Sequence, residues 1–231
     1  MRFHVVDLAH QVANGLVLPC AFTTKMMLFC SEMKKRGHEI FHYGHEGSTV
    51  DCTENTIIFS KEEWNNFWPD KDYYTNTQTD YTNTSANTLM ASRASEAIKK
   101  YKQPNDIFLS FMGKSQQLIE QENPDLITIE PRIGYNPSTT FAKWKVYQSY
   151  AMMHCCAGVD AVSYDHEKGG SHNWYNAVIP NFFDTSLHEY QETKDDYILY
   201  LGRVFEGKGL YPAIEATKIA GKKLIVAGYG D

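Results

Sequence analysis

The stretch GRVFEGKG, residues 202–209, places Gly202, four residues, and then Gly207 and Lys208. This is the spelling G-x-x-x-x-G-K, a loop whose backbone N–H groups cradle nucleotide phosphates. In such a loop the next residue is Ser or Thr, whose hydroxyl ligates Mg²⁺. Here it is Gly209, so a triphosphatase would lack its metal ligand. The surroundings still suit an anion. An apolar run, residues 197–201, leads in, and a helical pattern follows with Leu210, Ala213, Ile214 and Thr217 on one face. Pro212 fits the first turn and Gly221 the end. A loop entering a helix offers unpaired N–H groups and the positive end of a dipole. Arg203 and Lys208 add two cations, and a guanidinium can hold phosphate oxygens bidentately. From the residues alone, a metal-free diphosphate cradle and a purely structural glycine turn both stand.

Other groups carry chemistry more diffusely. In HEIFHYGHE, His38, His42 and His45 have a spacing that metal sites use. Strict alternation along a strand puts His42 and His45 on opposite faces, so no metal is expected there. His45 is instead expected at the C-terminal edge of a strand, where open α/β sheets bind ligands. By the same rule Glu130, Arg132 and Tyr135 in IEPRIGY are acceptor-side candidates, the alternative being a loop held by a Glu–Arg pair. Trp64, Trp68, Tyr73, Tyr74 and Tyr81 can stack on sugars or pack on their own domain, and packing is the expectation. His166 and His172 flank Gly169 and Gly170 in a loop. The five cysteines, Cys20, Cys30, Cys52, Cys155 and Cys156, have no C-x-x-C spacing. A reduced interior without structural zinc or disulfides is expected, with Cys155–Cys156 as small apolar packing.

These residues need a scaffold, and the chain alternates short apolar runs with helical patterns. FHVVDL reads as a strand. TTKMMLFCSEMKKRG reads as a helix capped by Thr23 or Thr24, with Met26, Phe29, Cys30 and Met33 on its apolar face. HEIFHYG reads as a second strand. A helix over 86–102, a strand in DIFLSFMG, a short helix in KSQQLIEQEN and a strand in DLITIEPRIGY follow. FAKWKVYQSYAMMHCC reads as helix, and DAVSY and NAVIPN as strands. The order strand, helix, strand then repeats over DDYILYLG, LYPAIEATKIAG and KKLIVAG. This rhythm predicts an α/β fold with a doubly wound, Rossmann-like N-terminal domain over 1–183. A polar linker over 184–196 and the first β-α-β of a second Rossmann-like domain over 197–231 complete the expected organisation.

The segment DDYILYLGRVFEGKGLYPAIEATKIAGKKLIVAGYGD resembles the opening of the donor-binding domain in glycosyltransferases of the GT-B fold, family-4-like. VIPNFFD resembles the segment preceding that domain, with Phe182 where the family usually has glycine. The resemblance covers about residues 176–231. It implies that Gly202, Arg203 and Lys208 hold the diphosphate of a nucleotide-sugar donor. It also implies transfer to a glycan, lipid or small-molecule acceptor with retention of configuration and without a metal or other cofactor. No catalytic residue can be named from it. The family's pair of glutamates late in the second domain has no counterpart here, so the 231 residues are expected not to be a complete enzyme. The alternative is a non-catalytic acceptor-binding subunit that needs a separate donor-binding chain.

Composition narrows the partners. The net charge is -6 with no Lys/Arg-rich run, which argues against nucleic acid as the main partner. No apolar run approaches the ~20 residues of a membrane span. The first residues, MRFHVVDLAH, enter strand-like sequence directly, and a cytoplasmic setting is expected.

Overall fold

A computed structural model describes residues 1–15, 20–74, 83–132, 137–162, 176–228 and 230. The chain divides into two compact units, Met1–Phe183 and Asp184–Asp231. The first unit is a doubly wound, Rossmann-like α/β domain. Its strands are β1 (Arg2–Val6), β2 (Glu39–His45), β3 (Glu54–Phe59), β4 (Ile107–Leu109), β5 (Ile127–Pro131), β6 (Trp144–Tyr147) and β7 (Ala177–Val178). They form one seven-stranded sheet in the order β3-β2-β1-β4-β5-β6-β7, and every pairing is parallel. The helices are α1 (Ala21–Lys35), α2 (Lys61–Phe67), α3 (Thr84–Tyr101), α4 (Gln117–Glu122) and α5 (Tyr150–Val162).

Alternation along the strands feeds two cores. Phe3 and Val5 of β1 pack with Met26 and Cys30 of α1, with Phe29 and Met33 partly buried beside them. Val6 faces the other way, with Phe41, Phe59, Trp64, Met90, Ala94 and Ile98. The winding reverses between β1 and β4, whose partners on the far side are β2 and β5. That reversal opens the crevice in which such sheets bind ligands.

The structure differs from the sequence reading in four places. First, residues 144–147 form β6, not the start of a helix, and Lys145 and Tyr147 are its buried residues. Helix α5 begins only at Tyr150, where the Ser149 hydroxyl accepts the Met152 N–H at 3.2 Å. Second, the strand expected in DAVSY does not form within the described residues, because Asp160–Val162 end α5. Third, β3 and α2 occupy residues that carried no assignment. Ser60 and Glu63 cap α2 reciprocally, a capping box. Fourth, α1 starts at Ala21 without a side-chain cap, and Thr23 is buried, donating to Gln11 Oε1 at 3.1 Å.

The second unit pairs β8 (Tyr197–Leu201) with β9 (Lys223–Ala227) in parallel, joined through α6 (Leu210–Ala220). The strand ends meet closely: a Cβ on Gly228 would lie 1.8 Å from the Gly202 carbonyl oxygen, so only glycine fits.

Candidate functional site

In the second unit the loop after β8 begins where the Gly202 N–H donates to Ala227 O at 3.1 Å. Arg203 follows, then a 3₁₀ turn over Glu206–Lys208. Gly209 has φ 77°, a left-handed conformation natural to glycine, and leads into α6. It supplies no side-chain cap, and Pro212 has no N–H. Among the described residues the first-turn N–H groups of Leu210 and Tyr211 have no acceptor. An uncapped helix start therefore sits at the end of a loop bearing two cations. Arg203 and Lys208 are exposed, and no described carboxylate pairs with either. The Arg203 guanidinium lies 5.3 Å from the centre of the Phe205 ring. The Tyr200 hydroxyl donates to Arg203 O at 2.9 Å and approaches Lys208 O at 3.4 Å. Positive charge and free donors at one helix start can hold an anion.

In the first unit a small, shallow cleft lies at the winding reversal. It is lined by Val6–Ala9 at the end of β1, by Asn87, Met90 and Ala91 of α3, and by Met112, Ser115 and Gln116 after β4. Gln116 fastens the strand ends together. Its amide donates to Val6 O at 3.3 Å and its oxygen accepts from Ser110 Oγ at 3.0 Å and Met112 N at 3.2 Å.

Beside the cleft lies a buried polar cluster built on Asp7. One carboxylate oxygen accepts from His42 Nε2 at 2.7 Å. The other accepts from His45 N at 3.0 Å, His45 Nδ1 at 3.2 Å and Ser48 Oγ at 2.6 Å. Both His42 and His45 thus reach Asp7, although alternation predicts opposite faces. Asp7 lies just beyond the end of β1, where it meets the last residues of β2, and the pairing of β2 with β3 shifts register there, with the extra residue, Ile58, on β3. His42 Nδ1 faces Asn55 Oδ1 at 2.9 Å, and the Asn55 amide is oriented by Ser48 O. Both ring nitrogens of His42 therefore face acceptors, the arrangement that an imidazolium satisfies. Burial pushes the His42 pKa down, but the Asp7 charge and the hydrogen bonds of Asp7 and Asn55 outweigh it and hold the value up. Burial pushes Asp7 up, yet His42 and His45 carry it far below the usual carboxylate range.

The acceptor-side candidates are not gathered in one place. His45 ends β2, whereas Glu130 and Arg132 lie in and just after β5, with β1 and β4 between. His45 is fully buried, with Nε2 3.0 Å from Ala9 O. Glu130 is also fully buried and accepts the N–H groups of Phe141 and Ala142, each at 3.2 Å. The buried Arg132 donates to Cys156 Sγ at 2.7 Å and lies 5.4 Å from the Tyr147 ring centre. Tyr135, His166, His172 and Tyr81 fall outside the described residues. Trp64, Trp68 and Tyr73 join the core, while Tyr74 is exposed. Cys156 is buried and Cys155 exposed, and all five cysteines are free. Among the described residues no group of three or more His, Cys, Asp or Glu could hold a metal, and no helix is long and apolar enough to cross a membrane. Sequence reasoning missed Asp7, Gly44, Gln116 and Tyr200. Asp7 carried a signal, an acid closing an otherwise apolar strand pattern.

No family model and no curated protein sequence matches the chain. Among solved structures, it is similar to the N-terminal domain of trehalose-6-phosphate phosphatase from Candida albicans, at 11% identity and a TM-score of 0.59. That match covers 99% of this chain and 64% of the other, so the chain spans just under two thirds of its neighbour. MurG of Acinetobacter baumannii matches at 8% identity and a TM-score of 0.40, covering 93% of this chain and 55% of that one. At these identities the first likeness speaks to fold alone.

Proposed function

We propose that the chain belongs to a glycosyltransferase that takes a sugar from a nucleoside-diphosphate donor, with the loop Gly202–Gly209 as its diphosphate cradle. One observation carries this reading: Arg203 and Lys208 stand exposed, unmatched by a described carboxylate, on a loop that ends at an uncapped helix start. The resemblance of residues 176–231 to donor-binding domains adds the nucleotide-sugar.

Glycosyl transfer breaks the bond between the anomeric carbon and a phosphate oxygen. Negative charge then grows on the leaving diphosphate. Fixed cations and N–H groups aimed at that charge stabilise the transition state more than the bound donor. Arg203, Lys208 and the start of α6 supply that field without calling on a metal. The triphosphatase alternative lacks its hydroxyl at Gly209. The first unit, with its crevice at the winding reversal, is the acceptor side in this reading.

Calorimetric titration with UDP-, GDP- and ADP-sugars tests donor binding, and an assay of sugar transfer tests the reaction. We expect binding to at least one donor, abolished when both Arg203 and Lys208 are replaced by Ala. In an active form, each single replacement is expected to cost about 2–4 kcal/mol of transition-state stabilisation. Undiminished turnover in either variant, or Mg²⁺-dependent ATP hydrolysis by the wild type, would overturn the assignment.

A further inference from the structure

We propose that Tyr200 is the positioning residue of the cradle: its hydroxyl ties Arg203 to Lys208 and so fits the pair to a diphosphate rather than a single phosphate. The inference rests on the diphosphate reading above and deepens it. Tyr200 is the fourth residue of β8, opposite Val226 of β9, so its backbone is fixed by the sheet. Its ring is half-buried. From that anchored base the hydroxyl reaches over the loop to two carbonyl oxygens five residues apart, Arg203 O at 2.9 Å and Lys208 O at 3.4 Å.

A phenol has one proton to give. The shorter contact to Arg203 O is the hydrogen bond, and Lys208 O is the weaker second acceptor. Arg203 O also accepts the Phe205 N–H at 3.2 Å, and the Lys208 N–H donates to Phe205 O at 3.0 Å. One hydroxyl thus bridges the residue that opens the turn and the residue that closes it. Two consequences follow. The backbone at Arg203 is held near the backbone at Lys208. The Arg203 carbonyl dipole is also drawn to the phenol, which lowers its repulsion of an anion. Spacing matters most for a ligand that engages both cations at once. A diphosphate has two phosphate groups to offer and orthophosphate has one, so the effect belongs to selectivity.

The test is calorimetric titration of inorganic pyrophosphate and of orthophosphate into the whole chain, wild type and Tyr200→Phe. Losing one net hydrogen bond predicts that the variant binds pyrophosphate about 3- to 10-fold more weakly. Its affinity for orthophosphate should stay unchanged, so the preference for pyrophosphate falls. Adding Tyr200→Phe to Arg203→Ala should weaken pyrophosphate binding no further. An equal loss for both anions would mean that the tyrosine merely supports the loop, and would overturn the proposal. Unchanged pyrophosphate binding in Tyr200→Phe would overturn it too, while leaving the cradle standing. Failure of the wild type to bind pyrophosphate would overturn the cradle itself, and the positioning role with it.

Discussion

Asp7 is where single residues weigh most in the first unit. Its carboxylate is fully buried, and such a charge is tolerated only when paired and hydrogen-bonded. The backbone at Gly44 makes room for that pairing. A Cβ there would lie 2.3 Å from His42 Cε1 and 2.4 Å from Asp7 Oδ2. Gly44→Ala must therefore push apart a locked pair, and overpacking of this kind costs about 1–3 kcal/mol. Urea unfolding should show the loss as a lower midpoint with little change in slope. The pair also sets a pH dependence. His42 is raised above 6.5, so its contribution is complete below that value and is lost as pH climbs through the folded pKa. Asp7 is depressed from 3.8, so its contribution is present above that value and disappears only in strong acid. Burial lowers the pKa of His4, which works in the opposite direction, so the His42 part is read as a difference. The stability gap between wild type and His42→Gln should shrink as pH rises above 6.5. A gap that is flat or widening with pH would refute the ion pair. None of this was legible in the histidine spacing, because their shared partner Asp7 lies 35 and 38 residues away, just past the end of β1.

At the scale of elements, patterns with local causes were readable and patterns with competing causes were not. The helix α1 follows from its i, i+3, i+4 apolar positions, and α6 from its loop, Pro212 and Gly221. Residues 144–147 read as helix in the sequence because WKVY lies against a helical run with a similar apolar content. The sign of a boundary was Ser149, a good N-cap, rather than any change in hydrophobicity. The helix α2 was also announced, by Ser60 and Glu63 three apart. Its cap is tied further: Arg93 of α3 donates to both Glu63 oxygens, at 2.8 and 2.5 Å. Those hydrogen bonds, with that from Ser60, take the Glu63 pKa down from 4.5 to about 2. The stabilisation is therefore present above 4.5 and is lost as pH falls through about 2. Removing the cap with Ser60→Ala should cost about 1 kcal/mol at neutral pH. The Glu63→Gln variant should be less stable than wild type at neutral pH and approach it in acid, a convergence that unfolding curves across that range would detect.

Over the whole molecule, the two units differ in what holds them. Among the described residues, both apolar clusters belong to the first unit, and so do Trp64, Trp68 and Trp144. Among the described residues of the second unit only Thr217 is buried, while Ile198, Leu199 and Leu201 are 43%, 52% and 79% exposed. The fold of the first unit was legible in the strand–helix rhythm because a parallel sheet needs a crossover at every step. The proposed cradle is a local feature, since its glycines and cations lie together in sequence. The polar cluster on Asp7 joins residues 35 to 41 positions apart, and no local pattern encodes that. Segments with few buried apolar contacts open at lower free energy than core strands. Backbone amides of β8 and β9 should therefore exchange with deuterium much faster than those of β1, β2 and β4. Tryptophan fluorescence should follow the first unit alone. Pyrophosphate adds a second arm, since a ligand that binds only the folded form stabilises it by mass action. Saturating pyrophosphate should slow exchange in β8, β9 and the start of α6, and leave β1, β2 and β4 unchanged. Equal protection of the two sheets without ligand would show that the second unit has a cooperative core of its own. Protection by pyrophosphate centred on the first unit would place the anion site away from Arg203 and Lys208.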